Sequence, residues 1–224
     1  MSCYMCDKEA TGVEHVPPKC LFPESKDLPP GIDQRQQLIT VTACDEHNNA
    51  KSKDDEYLLC LLVITLPANE TAKTQFSTKM MRSIKRNPSL IKKLMASQHP
   101  VIAVGNQTGK AHNTFAITVD DARIDTLLDQ LSRALYFHHF EEKWLGDVKT
   151  YPEFLVASLD PESHDAIARW SVLADHLFTK CEYHGANPDV FKYQVLEGGE
   201  IAHKLMRLHF YSGCRVSVFF ENTT

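Results

Sequence analysis

Cys3-Tyr4-Met5-Cys6 near the start of the chain and Cys44-Asp45-Glu46-His47 further on bracket the segment Glu14-His15-Val16-Pro17-Pro18-Lys19. Two short knuckles, each offering two soft ligands three residues apart, have the spacing of a tetrahedral zinc site. Closing that site pins the segment that carries Glu14 and His15 against the one that carries Asn48 and Asn49. Residues 1–55 hold few large apolar side chains and are punctuated by proline, so this stretch needs a metal staple to fold. Leu38-Ile39-Thr40-Val41-Thr42 has β-branched character and predicts a strand leading into the second knuckle. Asp45 and Glu46 suit the first turn of a helix over Asp45 to Ser52.

Working outward, the 224 residues divide into three regions: 1–55, a helical segment at 56–98 that is basic in its second half, and 99–224. Leu58 to Leu66 is too short to span a membrane and predicts a buried helix. Helices follow at about Thr71 to Lys85 and Ser89 to Met95. Beyond residue 99 the pattern changes. Val101–Val104 and Thr114–Val119 flank Gly105-Asn106-Gln107-Thr108-Gly109 as a hairpin. Asp120 or Asp121 caps a helix whose stripe is Ile124, Leu127, Leu128, Leu131 and Leu135. A strand is expected near Phe154 to Ala157, then a helix capped by Asp160 before Pro161. Val190–Leu196, Leu205–Tyr211 and Arg215–Phe220 read as strands, the last two joined at Ser212-Gly213. The expected fold is α+β: a small zinc-stapled N-terminal module, a helical segment, and a C-terminal α+β domain with an antiparallel sheet.

The chemistry lies in the first region. Four ligands close a zinc site and leave no open position, so a zinc on Cys3, Cys6, Cys44 and His47 has a structural role. His15 lies in a proline-rich turn between the ligand pairs, a poor place to bury a packing residue. An imidazole of ordinary pKa takes a proton from water at neutral pH. Glu14, on the opposite face of its strand, and Asn48 or Asn49 offer oxygen to a hard cation such as Mg²⁺ or Mn²⁺. Helix capping is the plainer reading of the two asparagines, and a capping or structural role that of His138-His139.

Cys3-x-x-Cys6, Glu14-His15-Val16-Pro17-Pro18-Lys19, the strand Leu38–Val41 and Cys44-x-x-His47-Asn48-Asn49-x-Lys51-Ser52 resemble the HNH, or ββα-metal, nuclease family over about a quarter of the chain. The resemblance implies an endonuclease that hydrolyses DNA and leaves a 5′-phosphate. His15 would activate water, Glu14 and Asn48 would hold the divalent cation, and Lys51 would contact phosphate or lie on the helix surface. Two positions depart from the family pattern. His47 stands where the family has cysteine; its place in the knuckle favours zinc, with the catalytic cation as the rival assignment. Gln37 stands near the family's central asparagine, which steadies the loop that holds the histidine.

The chain carries a formal net charge of −5, but from Lys73 to Lys110 it has eight basic residues and no acidic one. Of these, Lys79, Arg82, Lys85, Arg86, Lys92 and Lys93 are, with Lys51, the candidate nucleic-acid contacts; a solvated helical face is the plainer alternative. The N-terminus has neither a basic start nor an apolar signal region, so a cytoplasmic protein without a membrane association is expected. The seven cysteines, with their uneven spacing, argue against a disulfide framework. DNA is the expected partner, and the C-terminal domain is a candidate for self-association. The rival function is a zinc-stabilised nucleic-acid- or protein-binding module without catalysis.

Overall fold

A computed structural model describes residues 1–48, 52–104, 109–158, 161–197 and 204–222. Asn49, Lys51, the loop at 105–108 and Asp160 therefore lie outside the described residues. The chain opens with an antiparallel pair, β1 (Gly12–His15) and β2 (Thr40–Ala43), in which Glu14 faces Val41 and His15 faces Thr40. Helix α1 (Asp45–Asn48) follows β2 directly. The first knuckle is zipped onto β2 by Tyr4 N–H donating to Thr42 O at 2.8 Å and Thr11 N–H to Ala43 O at 3.0 Å. The strand expected from Leu38 starts at Thr40 instead. Gln37 has a φ of 50°, in the left-handed region, so it turns the chain before β2 and is not part of the ladder.

Helix α2 (Ser52–Ile64) carries the apolar run, and Tyr57 to Val63 are all buried. A helix enclosed on every side needs no polar stripe. The next helical run is α3 (Glu70–Gln75), a π-helical stretch at Phe76–Met80, and α4 (Met81–Arg86), followed by α5 (Ser89–Ala96). Asn69 caps α3, its side chain accepting from Ala72 N–H. The hairpin β3 (His99–Val104) and β4 (Ala111–Ala116) forms earlier in its second strand than the periodicity suggests. Ile117 and Val119 leave the ladder and pack on the core.

Helix α6 (Asp121–Phe140), capped by Asp120, presents Ile124, Leu127, Leu128, Leu131 and Leu135 as the predicted stripe. The remaining strands, β5 (Asp147–Pro152), β6 (His184–Asn187), β7 (Phe191–Leu196), β8 (Lys204–Phe210) and β9 (Cys214–Glu221), form an antiparallel sheet in the order β5-β9-β8-β7-β6. Two strands differ from expectation. The strand lies at Asp147–Pro152, and Glu153–Ser158, where one was expected, is a 3₁₀ turn. Pro152 closes the ladder, since it has no N–H to donate onward. Glu153 is then drawn under the sheet, where it accepts from Arg207 Nη2 at 3.0 Å and Ser217 Oγ at 2.9 Å. The short strand β6 contains Gly185 at φ 117° and a register shift, and it has no alternating signal to read.

Side-chain alternation on β8 shows how the layers are built. Met206, Leu208 and Phe210 face the main core, whereas Leu205, Arg207 and His209 face α7 (Pro161–Leu177), which covers the other side with Ala174. The main core is one continuous cluster: Tyr4, Leu21 and Val41 from the first region, Leu58 and Leu62 from α2, Leu128 and Leu135 from α6, and Phe220 from the sheet. The three regions read from the sequence thus share a single interior. Direct bonds cross it, including Tyr211 Oη donating to Leu21 O at 2.5 Å and Cys214 Sγ to Leu62 O at 3.8 Å. Among the described residues no helix is long and apolar enough to cross a membrane.

Truncating a residue at the centre of this cluster should unfold everything together. Leu128→Ala is expected to cost about 2–5 kcal/mol. Denaturant curves followed by far-UV circular dichroism and by tryptophan fluorescence should coincide.

Candidate metal centre and adjoining cavity

The two knuckles meet. The ligand atoms of Cys3, Cys6, Cys44 and His47 all lie within 4.8 Å of one another. His47 Nδ1 is 3.4, 3.6 and 3.2 Å from the sulfurs of Cys3, Cys6 and Cys44, and the Cys6 and Cys44 sulfurs are 3.8 Å apart. A tetrahedral zinc with ordinary bond lengths requires sulfur–sulfur edges of about 3.8 Å and sulfur–nitrogen edges of about 3.6 Å. The donor set and its spacing fit such an ion, and the four residues can hold a metal such as zinc. The sulfurs are far too distant from one another for a disulfide, and all seven cysteines are free thiols. His47 stands with the thiols, as the knuckle spacing favours.

Electrostatics prepare the cluster for a cation. Burial pushes the Cys3 thiol up, but backbone N–H groups of Met5, Cys44 and Cys6 and the His47 ring outweigh it, bringing the group down to about 6. A thiol so placed gives up its proton readily, as a metal ligand must. The Lys143 ammonium donates to Cys6 O at 2.7 Å and Asp7 Oδ1 at 3.1 Å, tying the first knuckle to the chain beyond α6. The buried Tyr4 ring meets His47 edge-on at 6.1 Å.

Glu14 and His15 lie side by side at the end of β1. Glu14 is buried and His15 half-buried, and both line a cavity of about 20 Å³ walled by Asp55, Leu58 and the α6 residues Leu127, Gln130, Leu131 and Ala134. That volume admits about one water or a bare cation. Burial, and then the charges of Lys19 and Arg35, lower the His15 pKa below its ordinary value. The ring is therefore neutral at physiological pH, the form that accepts a proton. Arg35 is held in place by donating from Nε and Nη2 to Phe22 O at 3.1 and 2.9 Å.

Asn48, in α1, sets its amide against β1. A Cβ on Gly12 would come within 3.1 Å of Asn48 Nδ2, so the strand is glycine where the amide crosses it. Gly12 and Glu14 point to the same face of β1, which sets Asn48 on the side from which Glu14 projects. Lys51 lies outside the described residues.

Two of the basic candidates are already engaged. Arg82 makes a paired contact with Asp27 at 2.7 and 2.6 Å, and Lys79 donates to Cys20 O at 2.9 Å. These side chains fasten the helical segment to the loop before β2. The neutralising acids come from that loop, which is why a count confined to the basic run misses them. Lys85, Arg86, Lys92 and Lys93 are exposed.

His139, by contrast, bonds Glu197 at 2.9 Å and Tyr193 Oη at 3.3 Å. With His138 and His184 it borders a wide polar groove that also includes Gln37 and Thr40. Lys19, Arg35, Gly12 and Asp55 were not identifiable as site residues from spacing; only Lys19, within the proline-rich motif, carried a signal. Comparison with family models, with curated proteins and with solved structures gave no match to this chain.

The purified protein is expected to carry about one zinc per chain by elemental analysis. Cys44→Ser should abolish stoichiometric binding and lower the melting temperature, while Cys181→Ser, far from the cluster, should change neither.

Proposed function

We propose that this chain is a metal-dependent endonuclease that hydrolyses phosphodiester bonds of DNA. The observation that carries this reading is the cavity lined by both Glu14 and His15, on the strand β1 whose partner β2 leads into the four-ligand cluster. In this reading the ion on Cys3, Cys6, Cys44 and His47 is structural, because every ligand position of the tetrahedron is taken by protein. In this reading Glu14 and Asn48, a carboxylate and an amide on one side of β1, supply oxygen ligands of the kind that Mg²⁺ or Mn²⁺ takes. Such a cation supplies charge neutralisation at the phosphate and at the departing alkoxide.

In this reading the protein's own residues carry the steps. Neutral His15 removes a proton from a water in the cavity, and the resulting hydroxide attacks phosphorus. The new oxygen–phosphorus bond forms as the bond to O3′ breaks; O3′ takes a proton from solvent, leaving a 5′-phosphate and a 3′-hydroxyl. Burial, with the charges of Lys19 and Arg35, holds the imidazole in its basic form, and the two side chains bring positive charge to the approach of a polyanion. Exposed Lys85, Arg86, Lys92 and Lys93 would supply non-specific, salt-sensitive affinity for the backbone.

A second reading, a metal-stapled binding module without catalysis, draws on Gln37. This residue sits in a left-handed turn ahead of β2, away from the ladder position at which an amide would steady the loop that carries His15.

The two readings separate in a plasmid-nicking assay with Mg²⁺ or Mn²⁺. Wild type is expected to nick and His15→Ala to lose about 10²-fold or more, the usual contribution of a general base. Salt-sensitive binding with equal, background cutting by both proteins would favour the binding module. The pH profile provides a second check. Because burial and then the charges of Lys19 and Arg35 lower the His15 pKa, Lys19→Gln should raise it in part and move the acid limb of kcat/KM toward higher pH.

A further inference from the structure

The hairpin of β3 and β4 has one face that the fold leaves uncovered. Directly opposed residues of an antiparallel pair project to the same side. Pro100 therefore shares a face with Phe115, Ile102 with Asn113, and Val104 with Ala111, and all six are exposed. Ile102, Val104 and Phe115 keep 67%, 59% and 62% of their surface in solvent, and none of them joins the interior. Along the other face, Val101, Ala103 and Thr114 are half-buried and Ala116 is buried. The alternation fixes which side is turned outward. A contiguous apolar face that stays exposed marks an interaction surface.

The charge beside it says what meets that surface. Ser97 Oγ, just past α5, accepts from Thr118 N–H at 3.1 Å, so the foot of the hairpin is fixed to the end of the helix. Leu94 is buried on the inner side of α5, leaving Lys92 and Lys93 exposed, as are Lys85 and Arg86 at the end of α4. No acidic residue interrupts the sequence from Lys73 to Lys110. An apolar ribbon rooted beside a basic helix suits a polyanion that also offers apolar surface. We infer that this face docks on duplex DNA as a minor-groove wedge, with Ile102 and Phe115 entering at a base step while Lys85, Arg86, Lys92 and Lys93 hold flanking phosphates. Basic contacts and inserted apolar side chains are how proteins bind and kink DNA from the minor groove. Asn113, the one polar side chain of the six, brings an amide N–H to the acceptors on A·T base edges. A bilayer would have to take that amide into its apolar layer unpaired. A second copy fits less well, because a stable protein interface takes about 20–30 residues a side. A two-fold contact through this face would also set like charges together. The inference deepens the endonuclease reading, on which it rests for DNA as the substrate.

The test is binding of the full chain, without added Mg²⁺ or Mn²⁺, to a duplex of about 20 base pairs with 2-aminopurine at a central TA step, a step that unstacks easily. Anisotropy of an end label gives the affinity, and brightening of the 2-aminopurine reports unstacking. Wild type is expected to bind and to brighten the probe. Phe115→Ser and Ile102→Ser should each weaken binding about tenfold or more and remove the brightening. Val172→Ser, at a similarly exposed apolar site on α7, should change neither. Lys92→Gln with Lys93→Gln should flatten the log–log salt dependence by about two and leave the brightening at saturation intact. Wild-type affinity and brightening in folded Phe115→Ser and Ile102→Ser proteins would overturn the wedge and leave the endonuclease reading standing. Phe115-dependent binding to phosphatidylserine vesicles, or a Phe115-dependent dimer, without the effects on DNA would also overturn it. Hairpin-dependent DNA binding in a protein that nicks no plasmid would uphold the wedge and reject the endonuclease reading. Failure of the wild type to bind duplex DNA would remove both.

Discussion

The approach of Cys3, Cys6, Cys44 and His47 to within a metal's reach is the constraint on which the first part of the structure depends. Strands β1 and β2 are only four residues each. Elements this short do not hold their own geometry in water. Joining the chain before β1 to the chain after β2 sets the hairpin's register from outside. Gly12 then meets Ala43, Glu14 meets Val41, and the Asn48 amide comes to rest over Gly12. The cluster needs no part in chemistry to decide where Glu14, His15 and Asn48 stand.

A second support is α6, which lies between the hairpin and the large sheet. Leu127, Leu131 and Ala134 wall the cavity at Glu14 and His15, while Tyr136 packs at a tilt against Phe220 with ring centroids 4.9 Å apart. Lys143, just past the helix, binds the first knuckle's backbone. The functional reading of the N-terminal residues therefore depends on a helix far along the chain. The rigid side of the cavity comes from α6 and the polar side from β1 and α2.

Periodicity and spacing made much of this legible. The α6 stripe, the β7–β9 strands and the four soft ligands each obey a rule that depends only on neighbours in sequence. What could not be read depends on partners distant in sequence. Glu153 leaves the strand pattern because Arg207 and Ser217 lie beneath it, and β6 is too short, and too distorted at Gly185, to show alternation. Arg82 and Lys79 seem free in a one-dimensional charge count and are occupied in three dimensions by Asp27 and Cys20 O. For the candidate site, the motif residues were visible, whereas Asp55, Arg35 and Gly12 acquire a role only when the hairpin, loop and helix converge.

The bond from Tyr211 to Leu21 O, with the common interior around it, bears on how the N-terminal segment could be inherited or transplanted. Residues 1–55 look like a portable cassette, yet Leu21, Phe22 and Val41 are sealed by side chains from beyond position 57. Excised, the cassette would present an oily underside to solvent. The C-terminal half is thus its missing floor, and recombination at that boundary would have to carry a replacement floor with it.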